Sequence, residues 1–218
     1  GVMLGGVTGI TPTEVVILGA GTAAEFAARA ALGLGAMVKV FDNSIKRLMD
    51  LQNILGQRLF TSIFHPQVLE KVLKTADVVI GTLTPEETKG GFVVSEEFVK
   101  IMKKGSVIID LGIDKGGCFE TSEMRDSSKP AFVKHDVIHY CVPNITSRVA
   151  RTASIAMSNV FSPILIEVAE AGGFKSQLKD DPDLRQGVYI FNGILTNGYL
   201  GRLYNIPSRD INLLMAAF

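Results

Sequence analysis

The residues Glu14-Val-Val-Ile-Leu18 run directly into Gly19-Ala-Gly21-Thr-Ala-Ala24, and alanine- and leucine-rich sequence follows as far as Gly35. The first piece is a short apolar run ending on glycine, the pattern of a buried strand. The last has the composition of a closely packed helix. Between them, Gly19-x-Gly21-x-x-Ala24 is a turn with a specific use. Gly19 permits the tight bend, Gly21 lets backbone approach a bulky anion, and Ala24 keeps helix against strand. The helix amino terminus adds N–H groups and the positive end of its dipole, which together suit a pyrophosphate. Gly-Ala helices are common, so the pattern alone is weak. A second strand, Val38 to Phe41, strengthens it by ending at Asp42, 23 residues after Gly19. An acid at that spacing accepts hydrogen bonds from ribose hydroxyls and repels a 2′-phosphate, which favours NAD over NADP. Lys46 and Arg47 soften the preference, since either is within reach of a phosphate; for Lys46 a solvated helix face is the plainer reading. A tight turn with no ligand is the alternative for Gly19 and Gly21.

The rest of the chain repeats the strand–helix rhythm. Ser44 can cap a helix in which Ile45, Leu48, Leu51 and Leu55 recur at helical spacing. Gln57 to Ser62 reads as a third strand, and Pro66 opens a helix. Ala76 to Ile80 is a fourth strand, Ser95 caps a helix through Met102 that stops by Gly105, and Ser106 to Ile109 is a fifth strand. Val137 to Val142 reads as a sixth strand, and a long apolar helix from about Arg151 to Ala171 carries Pro163, which should kink it. Such alternation predicts an α/β fold: a doubly wound, mostly parallel sheet of the Rossmann type, with a C-terminal helical segment. The expected division is a dinucleotide-binding domain over 1–151 and the helical segment over 152–218. Parallel sheets bind ligands outside the carboxyl ends of their strands. The loops carrying Gly19–Ala24 (with Thr22 and Ala23), Asp42, Gly81–Thr84, Asp114 and Asn144 should therefore converge.

Bulk numbers exclude other classes. Lysine plus arginine and aspartate plus glutamate balance at 22 each in 218 residues, so no electrostatic footprint for nucleic acid or an anionic membrane is expected. No apolar run looks long enough to span a bilayer, and no signal peptide is visible. Two cysteines, Cys118 and Cys141, are too few for a disulfide framework and lack metal-ligand spacing, so reduced thiols in a cytoplasmic protein are expected. His135 and His139, read as flanking a strand, have no third ligand in sight, and no metal is expected. The chain begins at Gly1, which reads as a processed chain or a fragment.

In its motifs the chain resembles the NAD-binding half of the alanine dehydrogenase and nicotinamide nucleotide transhydrogenase family. The similar segments are GVMLGGVTGI, VVILGAGTAAEFAARAALGLGAMVKVFD, ADVVIG, DLGIDKGGCFET and HYCVPNITSRVARTAS, in order from Gly1 to about Ser154. IDKGGCFET looks most like alanine dehydrogenase, with Lys115 where that group usually has Gln; the Ser147-Arg148 pair is closer to transhydrogenase. The resemblance implies reversible oxidative deamination of L-alanine to pyruvate and ammonia, with hydride passing to NAD. It makes Asp114 the active-site carboxylate and puts Asn144 on substrate or nicotinamide. Asp42 and Arg47 then contact ribose, and the Gly81-Thr82 loop lies on the nicotinamide side. The chain departs from the family at TLTPEETKGG, where an apolar run is usual, and at Phe64-His-Pro-Gln67, where a small polar residue is usual near adenine. The family's substrate-binding arginine and lysine and its acid–base histidine precede this half, so the implied partner is an N-terminal substrate domain absent from this chain. The family's C-terminal helices pack on that half. The apolar end INLLMAAF and this lost partner surface suggest a homo-oligomer.

Other readings stay open. Asp114 either faces a ligand or ends strand five in an Asx-turn; its position beside the cofactor motif favours chemistry, with Asp110 as structural anchor. Gly116 and Gly117 are read as making room for ligand. Asn144 is either a ligand contact or half of an ordinary Pro-Asn turn. Cys118 is read as a packing thiol. For the whole, the alternatives are the NAD-binding subunit of a proton-translocating transhydrogenase, a non-catalytic nucleotide sensor, and a lysine- or saccharopine-handling dehydrogenase.

Overall fold

The structure, a computed structural model, describes residues 1–84 and 91–216. It forms two compact units, Gly1–Ile145 and Thr146–Phe218. The first unit holds strands β1 (Glu14–Leu18), β2 (Met37–Phe41), β3 (Phe60–Ser62), β4 (Val78–Gly81), β5 (Val107–Asp110), β6 (Ala131–Lys134) and β7 (Val137–Tyr140), in the sheet order β3-β2-β1-β4-β5-β7-β6. Every pairing is parallel except β6 with β7. The predicted doubly wound sheet is thus present, with one antiparallel strand at its edge.

Helices α1 (Thr22–Gly33), α2 (Ile45–Leu55), α3 (Pro66–Leu73) and α4 (Glu96–Lys100) connect the parallel strands. Because both faces are covered, β1 is buried along its whole length. Its side chains alternate between two cores. Val16 and Leu18 join Leu69, Val72, Leu73 and Phe119. Val15 and Ile17 meet Ala24, Ala28 and Ala31, the i, i+4, i+7 stripe of α1, together with Leu48 and Leu51 of α2. Small residues on that stripe let α1 lie close on the sheet, the role assigned to Ala24. Ser44 caps α2 by accepting from the Arg47 N–H at 3.3 Å, and Pro66 occupies the first turn of α3. Ser95 stands at the start of α4 without a side-chain cap; the Glu96 N–H goes to a Glu120 carboxylate oxygen at 2.7 Å instead. The helix ends at Lys100, short of the expected Met102.

Two expectations need correction here. The strand read as sixth is the seventh, β7, and the hairpin strand β6 before it was missed. The turn between them is His135-Asp136, both at positive φ (55° and 61°), a conformation usually announced by Asn or Gly. His139 also lies inside β7 rather than beside it.

The second unit contains α5 (Ala150–Glu170), α6 (Phe174–Asp180), α7 (Pro182–Gln186), strands β8 (Ile190–Phe191) and β9 (Ile194–Leu195), α8 (Gly198–Tyr204) and α9 (Ile211–Ala216). Leu178, Phe191 and Leu214 make its small core. The β8–β9 hairpin was not expected. A further correction concerns residues 145–170, a single helical run long and apolar enough to cross a membrane by length and composition. The stretch between Arg151 and Glu167 is broken by Ser, Thr, Asn and Pro, so it reads as short apolar pieces although its average is apolar. Pro163 lies inside α5. Ala217 and Phe218 of the apolar end, and residues 85–90 of the divergent loop, lie outside the described residues.

Candidate functional site

Parallel register aligns the carboxyl ends of four strands. Leu18 of β1 pairs with Phe41 of β2 and Gly81 of β4, and Gly81 pairs with Asp110 of β5. The turns that follow these residues share one edge, which assembles Gly19–Ala24, Asp42, Gly81–Thr84 and the Asp114 loop. Asn144 follows β7, the next strand along, at the same edge.

The two motif glycines do different jobs. Gly19 has φ +111°, and a Cβ there would lie 2.3 Å from the Thr82 hydroxyl, so the protein itself requires glycine. Gly21 has φ −88°, open to any residue, and no described atom lies within 4 Å of the Cβ it lacks. It stands at the N-cap of α1, which has no side-chain cap. Thr22 and Ala23 are exposed in the first turn. The helix therefore presents N–H groups across an open approach, the geometry an anionic ligand needs.

Asp42 is buried at the end of β2. Its carboxylate accepts from the Ala20 N–H at 2.8 Å and the Ser44 N–H at 2.7 Å, which ties the glycine turn to the start of α2. Arg47 Nη1 stands 3.9 Å from the same carboxylate. Asp42, Ser44 and Arg47 form the polar wall of a cleft of about 650 Å3, and Phe64, Leu83, Phe92 and Phe98 form its apolar wall. The aromatic wall was not foreseen, except that Phe64 stood out as a departure. Phe92 and Phe98 are far from the motif in sequence and reach it only through tertiary packing. A second cleft of about 230 Å3, lined by Gly21, Thr22 and Glu25 among others, shares Arg47 with the first.

Gly81 and Thr82 carry structural tasks at this edge. A Cβ on Gly81 would meet Cys118 Sγ at 2.4 Å, and the Thr82 hydroxyl donates to the Leu18 carbonyl at 2.9 Å.

Asp114 lies in a single 3-10 turn, Ile113–Lys115, and is exposed. Among the described residues its carboxylate makes no hydrogen bond or ion pair. The Asx-turn belongs to Asp110 instead, whose Oδ1 accepts from the Gly112 N–H at 3.1 Å. Asp110 Oδ2 accepts from the Cys118 N–H at 3.2 Å and the Ser122 hydroxyl at 2.7 Å. Burial pushes the Asp110 carboxyl up from its ordinary value, against the pull of these donors. The expectation for the paired glycines is corrected. Gly117, at φ +71°, makes room for Asp110, whose Oδ2 would lie 2.2 Å from an added Cβ; Gly116 ends the 3-10 turn in the left-handed region. Asn144 takes a left-handed φ of 51°, which asparagine tolerates better than most residues. Cys118 is buried, and burial first, then the Asp110 charge, push its thiol well up, as suits packing rather than nucleophilic chemistry.

His139 is buried and stacked on Phe132, ring centroids 4.8 Å apart. Its Nδ1–H donates to the Val137 carbonyl at 3.0 Å, so Nε2 is the acceptor for the Thr121 hydroxyl at 2.8 Å. His135 instead pairs with Glu96 at 2.6 Å. Burial holds the His139 pKa below its ordinary value. The unfolded chain therefore takes up a proton first as pH falls, and the stability present above about pH 6.5 is lost as pH drops toward the folded pKa. Thermal melts should show the midpoint falling from pH 7 to pH 5.5, with a slope of at most about 1.4 kcal/mol per pH unit from this residue. In His139→Gln this part of the slope disappears; an unchanged slope would assign it elsewhere.

A family model described as alanine dehydrogenase/PNT, C-terminal domain, matches residues 1–198. The alanine dehydrogenase of Staphylococcus saprophyticus is 38% identical over 212 residues, 97% of this chain and 57% of that protein. That of Mycolicibacterium smegmatis is 38% identical over 210 residues, 96% and 56%. A solved L-alanine dehydrogenase superposes with a TM-score of 0.83 at 34% identity, covering 94% of this chain and 56% of its own. The transhydrogenase from Sinorhizobium meliloti gives a TM-score of 0.56 at 25% identity over 66% of this chain. The chain thus spans a little over half the length of the curated relatives it matches.

Proposed function

Because the chain belongs to the alanine dehydrogenase/PNT C-terminal domain family, we propose that it is the NAD-binding part of a longer, NAD-dependent alanine dehydrogenase-like oxidoreductase. The observation that carries this reading is the shared sheet edge. There an uncapped α1 amino terminus behind an open Gly21, a buried acid at the end of β2, and an exposed carboxylate after β5 lie side by side. The residues present fit a dinucleotide. Gly21, Thr22 and Ala23 would hold the pyrophosphate, Asp42 and Arg47 the adenosine ribose, and the aromatic wall of the cleft the adenine. The Gly81-Thr82 backbone and Asn144 would border the nicotinamide end.

When bound, NAD supplies the hydride acceptor. Asp114 acts on the amino-acid side, orienting ammonia or water or accepting a proton at its carboxylate, and Asn144 holds substrate or ring in place. Asp42 disfavours a 2′-phosphate. The relatives' greater length supports the further proposal that an N-terminal substrate domain completes the site, so that this chain alone turns over alanine poorly or not at all. The same reading makes the protein cytoplasmic, with an amino or keto acid as substrate, and assembled as a homo-oligomer.

Fluorescence titration of this chain tests the reading. NADH should bind with a micromolar Kd and NADPH at least about tenfold more weakly. In the full-length protein L-alanine should drive NADH formation. Absence of NADH binding sinks the proposal; NADH binding with hydride exchange to an NADP analogue, and no response to alanine or pyruvate, favours a transhydrogenase subunit instead.

A further inference from the structure

We infer that Asp110 is a positioning residue for Asp114. It acts as a clamp whose two carboxylate oxygens close both ends of the loop that presents the exposed acid. The inference rests on the reading of Asp114 as the acid that meets substrate. The loop 111–117 leaves β5 at Asp110 and returns at Cys118. Oδ1 takes the Gly112 N–H at the outgoing end, and Oδ2 takes the Cys118 N–H at the returning end. Inside the clamp the loop is cross-tied, since the Gly112 carbonyl accepts from the N–H groups of both Lys115 and Gly117, each at 2.9 Å. Leu111 N–H is tied across to the Gly81 carbonyl at 2.9 Å, which fixes the loop to β4. Asp114 sits at the middle of this arrangement with no side-chain tie of its own among the described residues. Its position is therefore set by backbone, and one buried carboxylate is the side chain that ties both ends of that backbone together, beside the backbone bonds of Leu111 to Gly81 and of Val93 and Val94 to the Cys118 carbonyl. Two neighbours are shaped to that carboxylate. Ser122 donates to Oδ2 from the far side, and Gly117 lacks the one atom that would strike it.

An amide cannot replace the clamp. Asparagine has one acceptor oxygen, and its NH2 group would face a backbone N–H donor at one end of the loop whichever way it turned. Asp110→Asn therefore releases one end. Gly117→Ala attacks the same contact from the opposite side without changing the carboxylate's chemistry. Ser122→Ala removes a donor but leaves both loop amides in place.

The three variants should be compared at a temperature where each is folded by circular dichroism. Three quantities decide the matter: amide exchange in this chain, its NADH affinity, and kcat and KM in the full-length protein. Asp110→Asn and Gly117→Ala should speed exchange of the Gly117 and Cys118 amides at least about tenfold. They should lower kcat at least about tenfold, with Kd for NADH and KM for NAD within about threefold of wild type. Ser122→Ala should stay within about threefold throughout. Unchanged exchange or kcat in Asp110→Asn overturns the inference. So does NADH affinity that falls in step with kcat, since that is what general loosening of the fold produces. A wild-type protein that neither binds NADH nor oxidises an amino acid removes the parent reading; an active wild type with wild-type-like variants removes this inference alone.

Discussion

Asp114→Asn in the full-length protein should lower kcat for alanine oxidation at least about 100-fold while leaving NADH affinity within about threefold and the melting temperature unchanged. The separation of the three readouts follows from where the side chain sits. Asp114 is exposed on a 3-10 turn and contributes no hydrogen bond or ion pair to the described fold, so removing its charge costs no native contact. It also lies on the loop after β5, whereas the residues proposed for pyrophosphate and ribose follow β1 and β2. Asparagine keeps the volume and the turn and loses only the ability to take a proton or bear charge toward an incoming amine. A structural acid would behave differently, and Asp110 supplies the contrast within the same loop. It is buried with three donors on it, so its loss is felt first in the backbone. Steady-state kinetics with alanine and pyruvate, beside NADH titration and a thermal melt, decide the question. A variant that retains its turnover, or loses NADH binding together with it, would falsify the catalytic role.

The sheet was legible because its determinants are local. Strands β1, β4 and β5 are short runs rich in Val and Ile that end at or beside glycine or aspartate, and helix starts at Ser44 and Pro66 carry their own signals. Strand β6 escaped because Ala-Phe-Val-Lys holds a single β-branched residue and its turn, His135-Asp136, lacks the glycine that usually marks two left-handed residues. The site divides in the same way. The glycine turn and Asp42 were readable from spacing, and Asp110 could be separated from Asp114 by position. What each glycine is for could not be read, because the reason lies across the sheet: Gly19 yields to Thr82, Gly81 to Cys118 and Phe119, Gly117 to Asp110. Phe92 and Phe98 reach the cleft for equally non-local reasons. The comparisons bear out the resemblance drawn from the motifs.

Gly21→Asp separates ligand binding from folding most sharply, because the two should move in opposite directions. Glycine at this N-cap leaves the first N–H groups of α1 without a side-chain partner. Aspartate is among the preferred N-cap residues and accepts from those same groups, with its charge at the favourable end of the helix dipole. The backbone there, φ −88°, accepts any residue, and no described atom obstructs the new Cβ. The melting temperature should therefore hold or rise, by about 1–3 °C for a few tenths to one kcal/mol. Binding should suffer for the same reasons. The N–H groups are occupied, the approach is filled, and a carboxylate stands where two phosphates would carry like charge. NADH affinity should fall at least about 100-fold, equivalent to about 2.7 kcal/mol. Gly19→Ala makes the complementary case. With φ +111° and a Cβ 2.3 Å from the Thr82 hydroxyl, it should lower the melting temperature before it changes any ligand contact. The two glycines of one motif would thus fail in opposite ways, one by losing the fold and one by losing the ligand. If Gly21→Asp bound NADH as wild type does, the turn would be a chain reversal without a phosphate, and the dinucleotide reading would lose its main physical support.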